Sequence, residues 1–223
     1  MENNEDFIKR SSQTLLNIRL ELENEENLNL DELEGSETAI IIIDMVNGFT
    51  KTGALKSERI EALIPKIELL MKNGKEKGMK MVSFADYHTE DSLELKSYPP
   101  HCMEGSTECD IVSELKEIGG YELIHKNSTN GFMEDKFIVF LNRNRKIKKF
   151  IIVGDCSDIC ILQFTLSLKS YFDNTNRDMD IFIPYKLVDT FDLGDHYAPL
   201  YNIFALKLMK NAGVKIVKDI IYR

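Results

Sequence analysis

The chain has 223 residues, 43% of them hydrophobic and 29% charged, with a formal charge of −9; that balance fits one sizeable globular domain and excludes a disordered or fibrous chain. The acidic excess argues against nucleic acid as a partner, because duplex binding needs Lys and Arg clustered on one face. No window approaches the roughly 20 apolar residues that span a bilayer, and the leading MENNEDFIKRSSQ has no apolar signal core, so no membrane partner is expected and the chain is assigned to the cytoplasm.

Residues 1–35 stand apart in character. LLNIRLELENEENLNLDELEG carries Leu and Ile at helical spacing amid many acids, which predicts a helical arm with a role in packing or in subunit contact, and hence a homo-oligomer. Residues 36–223 form the main domain. Its first apolar run, TAIIIID at 38–44, reads as a strand, and SERIEALIPKIELLMKNGKEKG at 57–78 as the helix that follows. Strands are predicted next at MKMVSFA (79–85), YELIH (121–125) and KFIIVG (149–154). A helix is expected over SDICILQFTLSLKSYF from 157, then a strand at MDIFIP (179–184), a helix over HYAPLYNIFALKLMKNAG (196–213) and a last strand at VKIV (214–217). The first and last helical patterns end in the Gly expected just past a helix. Strands alternating with helices imply βαβ crossovers, and near-continuous apolar strands such as AIIII and FIIV suit a sheet buried on both faces. The predicted fold is therefore α/β: three layers, α/β/α, around a mostly parallel six-stranded sheet of Rossmann-like type.

Ligands of open parallel sheets bind beyond the carboxyl ends of the strands. Asp44 ends the first strand, Asp86 and His88 end the second, Lys126 follows the third, and Cys160 follows the fourth at a helix start. A single strand-end Asp can be a mere cap. Several polar residues at one rim point to a site. Asp86 and His88 alternate across one residue and so share a side of an extended chain; His101 is presented by two prolines, and Glu94 lies seven residues before it.

Four stretches, IIIIDMVNGFTKTGAL, DYH with the later PPHC, IHKNSTNGF and GDCSDICILQFTLSL, together resemble the isochorismatase-like cysteine hydrolases, nicotinamidases above all, over about residues 38–218. The resemblance implies a catalytic triad of Asp44, Lys126 and Cys160. It implies an oxyanion hole from the backbone amides of Cys156 and Cys160, with a cis peptide between Asp155 and Cys156. It implies a divalent ion, zinc first, with iron or manganese as alternatives, held by Asp86, His88, His101 and, as in some bacterial members, Glu94. Tyr98 stands where family members carry an aromatic that stacks on the substrate ring, and Phe49 is placed to cover its other side. His125 and His196 match nothing in the family pattern and are taken as structural.

Chemistry selects the same nucleophile. A thiolate is favoured at a helix N-terminus near a cation, and Cys160 lies in the first turn of SDICILQF, with Ser157 or Asp158 to cap it and Lys126 to supply charge, so its pKa is expected to fall. A zinc clip at Cys156 and Cys160 lacks further ligands, since Cys102 and Cys109 sit seven apart in an unrelated loop. A redox pair would have two intervening residues rather than three. DCSD and KNSTNGF depart from the family's commoner residues, which bears on the substrate more than on the chemistry. The expected activity is hydrolysis of a small aromatic amide, nicotinamide to nicotinate and ammonia in NAD salvage, through a Cys160 thioester. The competing expectations are another small amide or N-carbamoyl compound, or a catalytically silent metal-binding relative.

Overall fold

The computed structural model describes residues 3–222, so residues 1, 2 and 223, at the outer limits of the expected arm and domain, lie outside it. Helix α1 (Asn4–Glu23) is followed by a two-residue strand β1 (Leu28–Asn29) and then by β2 (Thr38–Ile43), which gives way to a single short turn of helix α2 (Asn47–Thr50). The expected helix over 57–78 is two pieces, α3 (Glu58–Glu61) and α4 (Ile64–Glu76). Pro65 explains the break: it has no N–H to donate to Glu61 and its ring collides with that carbonyl, so the helix restarts with proline in its first turn. The remainder alternates: β3 (Lys80–Asp86), α5 (Ser113–Ile118), β4 (Tyr121–Lys126), α6 (Asp135–Arg143), β5 (Lys149–Gly154), α7 (Cys160–Asn174), β6 (Asp180–Pro184), α8 (Ala198–Asn211), β7 (Lys215–Val217) and β8 (Ile220–Ile221).

Six strands pair in the order β4-β3-β2-β5-β6-β7, every pair parallel, as the apolar runs predicted. The two-residue period of a strand divides its side chains between two cores. Ile41 and Ile43 of β2 join Phe137, Phe164 and Leu206 from α6, α7 and α8 on one face. Ile40 and Ile42 join Ile60, Ile67 and Leu115 from α3, α4 and α5 on the other. A strand that is apolar at every position is thus required, and β2 is buried throughout.

The N-terminal segment packs on both cores of the main domain. Ile18 and Leu22 of α1 pack against the α8 side, where Glu21 pairs with Lys207 at 2.8 Å and Lys210 at 2.7 Å. Leu30 and Leu33 are buried in the opposite core, and β1 runs parallel to β8, Leu28 opposite Ile220. No helix among the described residues is long and apolar enough to cross a membrane.

From β2 the chain moves outward through β3 to β4, then returns to lay β5 on the other flank of β2. That reversal opens a crevice between the carboxyl ends of β2 and β5. The two strands come so close there that Gly154, at a φ of 115°, would put a Cβ 2.0 Å from the Ile43 carbonyl oxygen. Gly105 also has positive φ, 76°, but faces open space. Gly154→Ala is expected to cost about 3 kcal/mol and Gly105→Ala about 1 kcal/mol, read from urea denaturation midpoints, the difference being the backbone clash.

Candidate active site

Lys126, the last residue of the edge strand β4, is 1% exposed, and its ammonium is enclosed by Asp86 at the end of β3 and Asp44 just past β2. It donates to Asp86 Oδ1, lies 2.8 Å from Asp44 Oδ2 and reaches Cys160 Sγ at 3.7 Å. The contact with Asp44 is an ion pair off the hydrogen-bonding directions, so neither Asp44 oxygen has a directed partner and both keep lone pairs free. Asp44 itself takes a left-handed backbone, φ 56°, just past β2, a conformation Asp tolerates better than most residues. The three side chains expected to act together therefore meet.

The charges at this cluster follow from burial set against pairing. Burial opposes the Lys126 ammonium, but Asp44, Asp86 and Cys160 outweigh it and hold the lysine well above its ordinary pKa. Burial likewise opposes ionisation of Asp86, yet Lys126 and the neighbouring imidazoles of His101 and His88 bring it well below the usual carboxylate range. For Asp44 burial wins: with help from the charge of Asp86, and against Lys126, it pushes the carboxyl up to about 7. Cys160 departs from the expected lowering. Burial, reinforced by Asp44 and Asp86, pushes its thiol well above the ordinary value despite Lys126. The resting site thus has a charged lysine, a charged Asp86, an Asp44 poised near neutrality and a neutral thiol.

Between β5 and α7 the chain makes the turn that carries the nucleophile candidate. The Asp155–Cys156 peptide is cis, and the Cys156 carbonyl accepts from the N–H of Ile159 and Ile161. Among the described residues no protein acceptor takes the N–H of Cys156 or Cys160. Helix α7 begins at Cys160 itself, with Ile159 as its N-cap and no side-chain cap. Ser157 and Asp158 do not cap it, because Ser157 donates to Asn202 and Asp158 accepts from His196. Asp155 is a further buried carboxyl here, its pKa pushed well above the ordinary value by burial.

Asp86, His88, Glu94 and His101 converge so that one ligand atom of each lies within 4.8 Å of the others. Nε2 of His88 is 3.6 Å from Asp86 and 3.9 Å from Glu94; Nε2 of His101 is 3.5 Å from Asp86 and 4.0 Å from Glu94. An ion with bonds of about 2.1 Å separates tetrahedral ligands by roughly 3.4 Å, so a small contraction suffices. The outward nitrogens are held as ligand imidazoles require: Nδ1 of His88 meets Asn127 Oδ1 at 3.1 Å, Nδ1 of His101 meets the Pro99 carbonyl at 2.8 Å, and the buried Nε2 of His88 has no directed partner. The residues fit a divalent ion. Asn127, the outer support, directly follows Lys126 and gave no separate sign in the sequence.

Both clusters open on one apolar pocket of about 470 Å³, counting its mouth, lined by Phe49, Tyr98, Cys156, Ile159, Cys160 and Phe191 beside Asp86, Glu94 and His101. Phe49 is buried, 5.6 Å from the His101 ring, and Tyr98 is 6.2 Å from it. Phe191 was missed because it comes from a loop without periodic pattern. His125 lies elsewhere, stacked on Tyr87 at 4.3 Å.

An acceptor that titrates near 7 beside a buried thiol has a direct consequence. In metal-free protein, alkylation of Cys160 by iodoacetamide should rise through a limb near pH 7 as Asp44 loses its proton. In Asp44→Asn that limb should vanish, leaving only the steady rise of a high-pKa thiol, as followed by mass spectrometry of the modified peptide.

Residues 38–216 match the family model described as the isochorismatase domain. Nicotinamidase 1 of Arabidopsis thaliana is 27% identical over 233 aligned positions, covering 92% of this chain and 94% of that protein. Nicotinamidase PncA from Bacillus subtilis superposes with a TM-score of 0.67 at 25% identity, over 81% of this chain and 99% of that one. The pyrazinamidase of Pyrococcus horikoshii, solved in complex with zinc, superposes with a TM-score of 0.68 at 25% identity, over 82% and 99%. With four-fifths of its length matched by the family model and its sheet, helices and rim arranged as described, this chain belongs to the isochorismatase family of hydrolases.

Proposed function

We propose that the protein is a metal-containing cysteine amidohydrolase that converts nicotinamide to nicotinate and ammonia, a step of NAD salvage. The observation that carries the reading is the shared pocket: a thiol–carboxyl–ammonium cluster and a two-histidine, two-carboxylate cluster face one apolar, aromatic-lined cavity. Resemblance to nicotinamidases from a plant and a bacterium, and to a zinc-complexed pyrazinamidase, supports the same substrate class. Hydrolysis of another small amide or N-carbamoyl compound is the competing reading, and the ligand cluster beside the cavity favours the pyridine amide over it.

In this reading Cys160 Sγ attacks the carboxamide carbon while its proton passes to Asp44, whose raised pKa suits it to accept a proton and return it near neutral pH. The carbonyl oxygen becomes an oxyanion held by the N–H groups of Cys156 and Cys160, which have no protein acceptor among the described residues. Asp44 then gives the proton to the nitrogen, the C–N bond breaks and ammonia leaves, with the acyl group on sulfur. Water attacks the thioester carbon as Asp44 takes a proton from it; the C–S bond breaks, nicotinic acid forms and ionises, and the thiolate recovers its proton. Lys126 stays charged throughout and offsets whichever of Asp44 and Cys160 is anionic. Tyr98 and Phe49 would flank the ring. Asp86, His88, Glu94 and His101 would hold the divalent ion, zinc, iron or manganese, which when bound supplies a Lewis acid for a ring nitrogen and an acidified water.

Cys160→Ala should lower ammonia release from nicotinamide at least about a thousandfold with the fold intact by circular dichroism; retention of full activity would remove the mechanism. His88→Ala and His101→Ala should each purify with about tenfold less divalent metal per chain than the parent, measured by elemental mass spectrometry.

A further inference from the structure

The segment after β6 is fastened to the nucleophile turn at three places. Val188 forms a parallel bridge with Gly154, the Asp189 carbonyl accepts from the Ser157 N–H at 2.9 Å, and His196 Nε2 meets Asp158 Oδ2 at 2.8 Å. Asp158 is two residues before Cys160. Between the second and third fastenings lies Phe191, which lines the pocket with Cys160, Cys156 and Ile159. The base of the loop is braced again by Asp189, which takes Arg59 Nη2 at 2.8 Å and Asn202 Nδ2 at 2.7 Å.

His196 does more than close the loop. Its Nδ1 meets the Phe191 carbonyl at 2.9 Å, and its ring lies flat against the Phe191 ring, centroids 3.9 Å apart at 11°. The other face of the imidazole is covered by Tyr201, again at 3.9 Å and at 25°. The ring is thus fixed by two polar contacts at its edges and two aromatic faces, an unusual degree of restraint for a residue on a surface loop whose neighbours Leu193 and Tyr197 are 72% and 58% exposed. What it restrains is Phe191.

We propose that Phe191 is a specificity-determining wall of the ring site and that His196 is the positioning residue that holds it there, with Asp158 tying that wall to the turn bearing Cys160. The inference deepens the aromatic-amide reading and rests on it for the chemical class of the occupant. Phe191 would supply flat apolar surface to a planar ring, while His196 touches neither ring nor sulfur and acts through Phe191 alone. A wall referenced to the nucleophile's own turn keeps ring and sulfur in register, which matters because reacting atoms must be held near contact distance.

The test uses the full-length protein and measures how much benzamide, a planar amide without a ring nitrogen, half-protects Cys160 from iodoacetamide. This readout needs neither turnover nor metal coordination by the ligand. In Phe191→Ala the half-protecting concentration should rise at least tenfold, and in His196→Ala at least fivefold. In His196→Ala the alkylation rate without benzamide should stay within threefold of the parent, since the triad is untouched; for Phe191→Ala, which widens the pocket beside Cys160, protection is referred to that variant's own unprotected rate. Asp158→Asn, which keeps an acceptor for the imidazole, should stay within threefold for protection, and Asp158→Ala should follow His196→Ala. With nicotinamide as substrate Phe191→Ala and His196→Ala should raise KM and lower kcat together, as ring and sulfur lose their register, while Asp158→Asn should keep both near the parent. Unaltered protection in Phe191→Ala, or failure of benzamide to protect the parent, would overturn the wall. A shift in Phe191→Ala without one in His196→Ala would overturn the positioning role. Protection of the parent with no turnover of nicotinamide would sink the substrate reading and leave this proposal standing.

Discussion

A lysine ammonium buried to 1% exposure is the constraint around which the site is organised. Removing one such charge from water costs several kcal/mol, and only close opposite charges repay it. Lys126 has two, Asp44 and Asp86, from the ends of β2 and β3, so three strand ends must keep their register for the ammonium to remain. The same atom belongs to both halves of the site. Through Asp44 and Cys160 it touches the nucleophilic half, and through Asp86 it touches the ligand half. One positive charge between two acids leaves the pair unequal: Asp86, with two imidazoles besides, takes the larger share, and Asp44 is left protonatable near neutrality. An acid–base residue poised near 7 is thus a by-product of sharing a single lysine.

The legible part of the sequence was the part that periodic burial writes. AIIII and FIIV announced a doubly covered parallel sheet, and with strand ends fixed, Asp44, Asp86, His88, Lys126 and Cys160 fell on one rim because parallel strands end on the same side. Pro65 was equally visible, yet an otherwise continuous apolar period over 57–78 masked its effect. The ends of helices were less readable. Ser157 and Asp158 have good capping chemistry, but tertiary partners, Asn202 and His196, take their side chains from more than thirty residues away.

Electrostatic outcomes were not legible at all. Helix N-terminus and nearby lysine both lower a thiol's pKa, and both are present at Cys160; burial and two carboxylates nevertheless prevail, and neither quantity can be read from spacing. The sharing of Lys126 between Asp44 and Asp86 is hidden for the same reason, since it depends on the lateral order of β2, β3 and β4 rather than on their sequence order. Phe191, on a loop that obeys no period, likewise has no sign in the sequence, and only the fold brings it into the pocket with Cys160.

The pairing of β1 with β8 joins the N-terminal segment to the last strand of the main domain. On a ribosome Leu28 leaves the tunnel nearly two hundred residues ahead of Ile220, a wait of roughly 10–40 s at ~5–20 residues per second. Throughout that interval β1 has no β8 to pair with, although Leu30 and Leu33 just after it belong to the core over β2. The seam between β1 and β8 therefore cannot form before Ile220 has been made, whatever has already packed over β2.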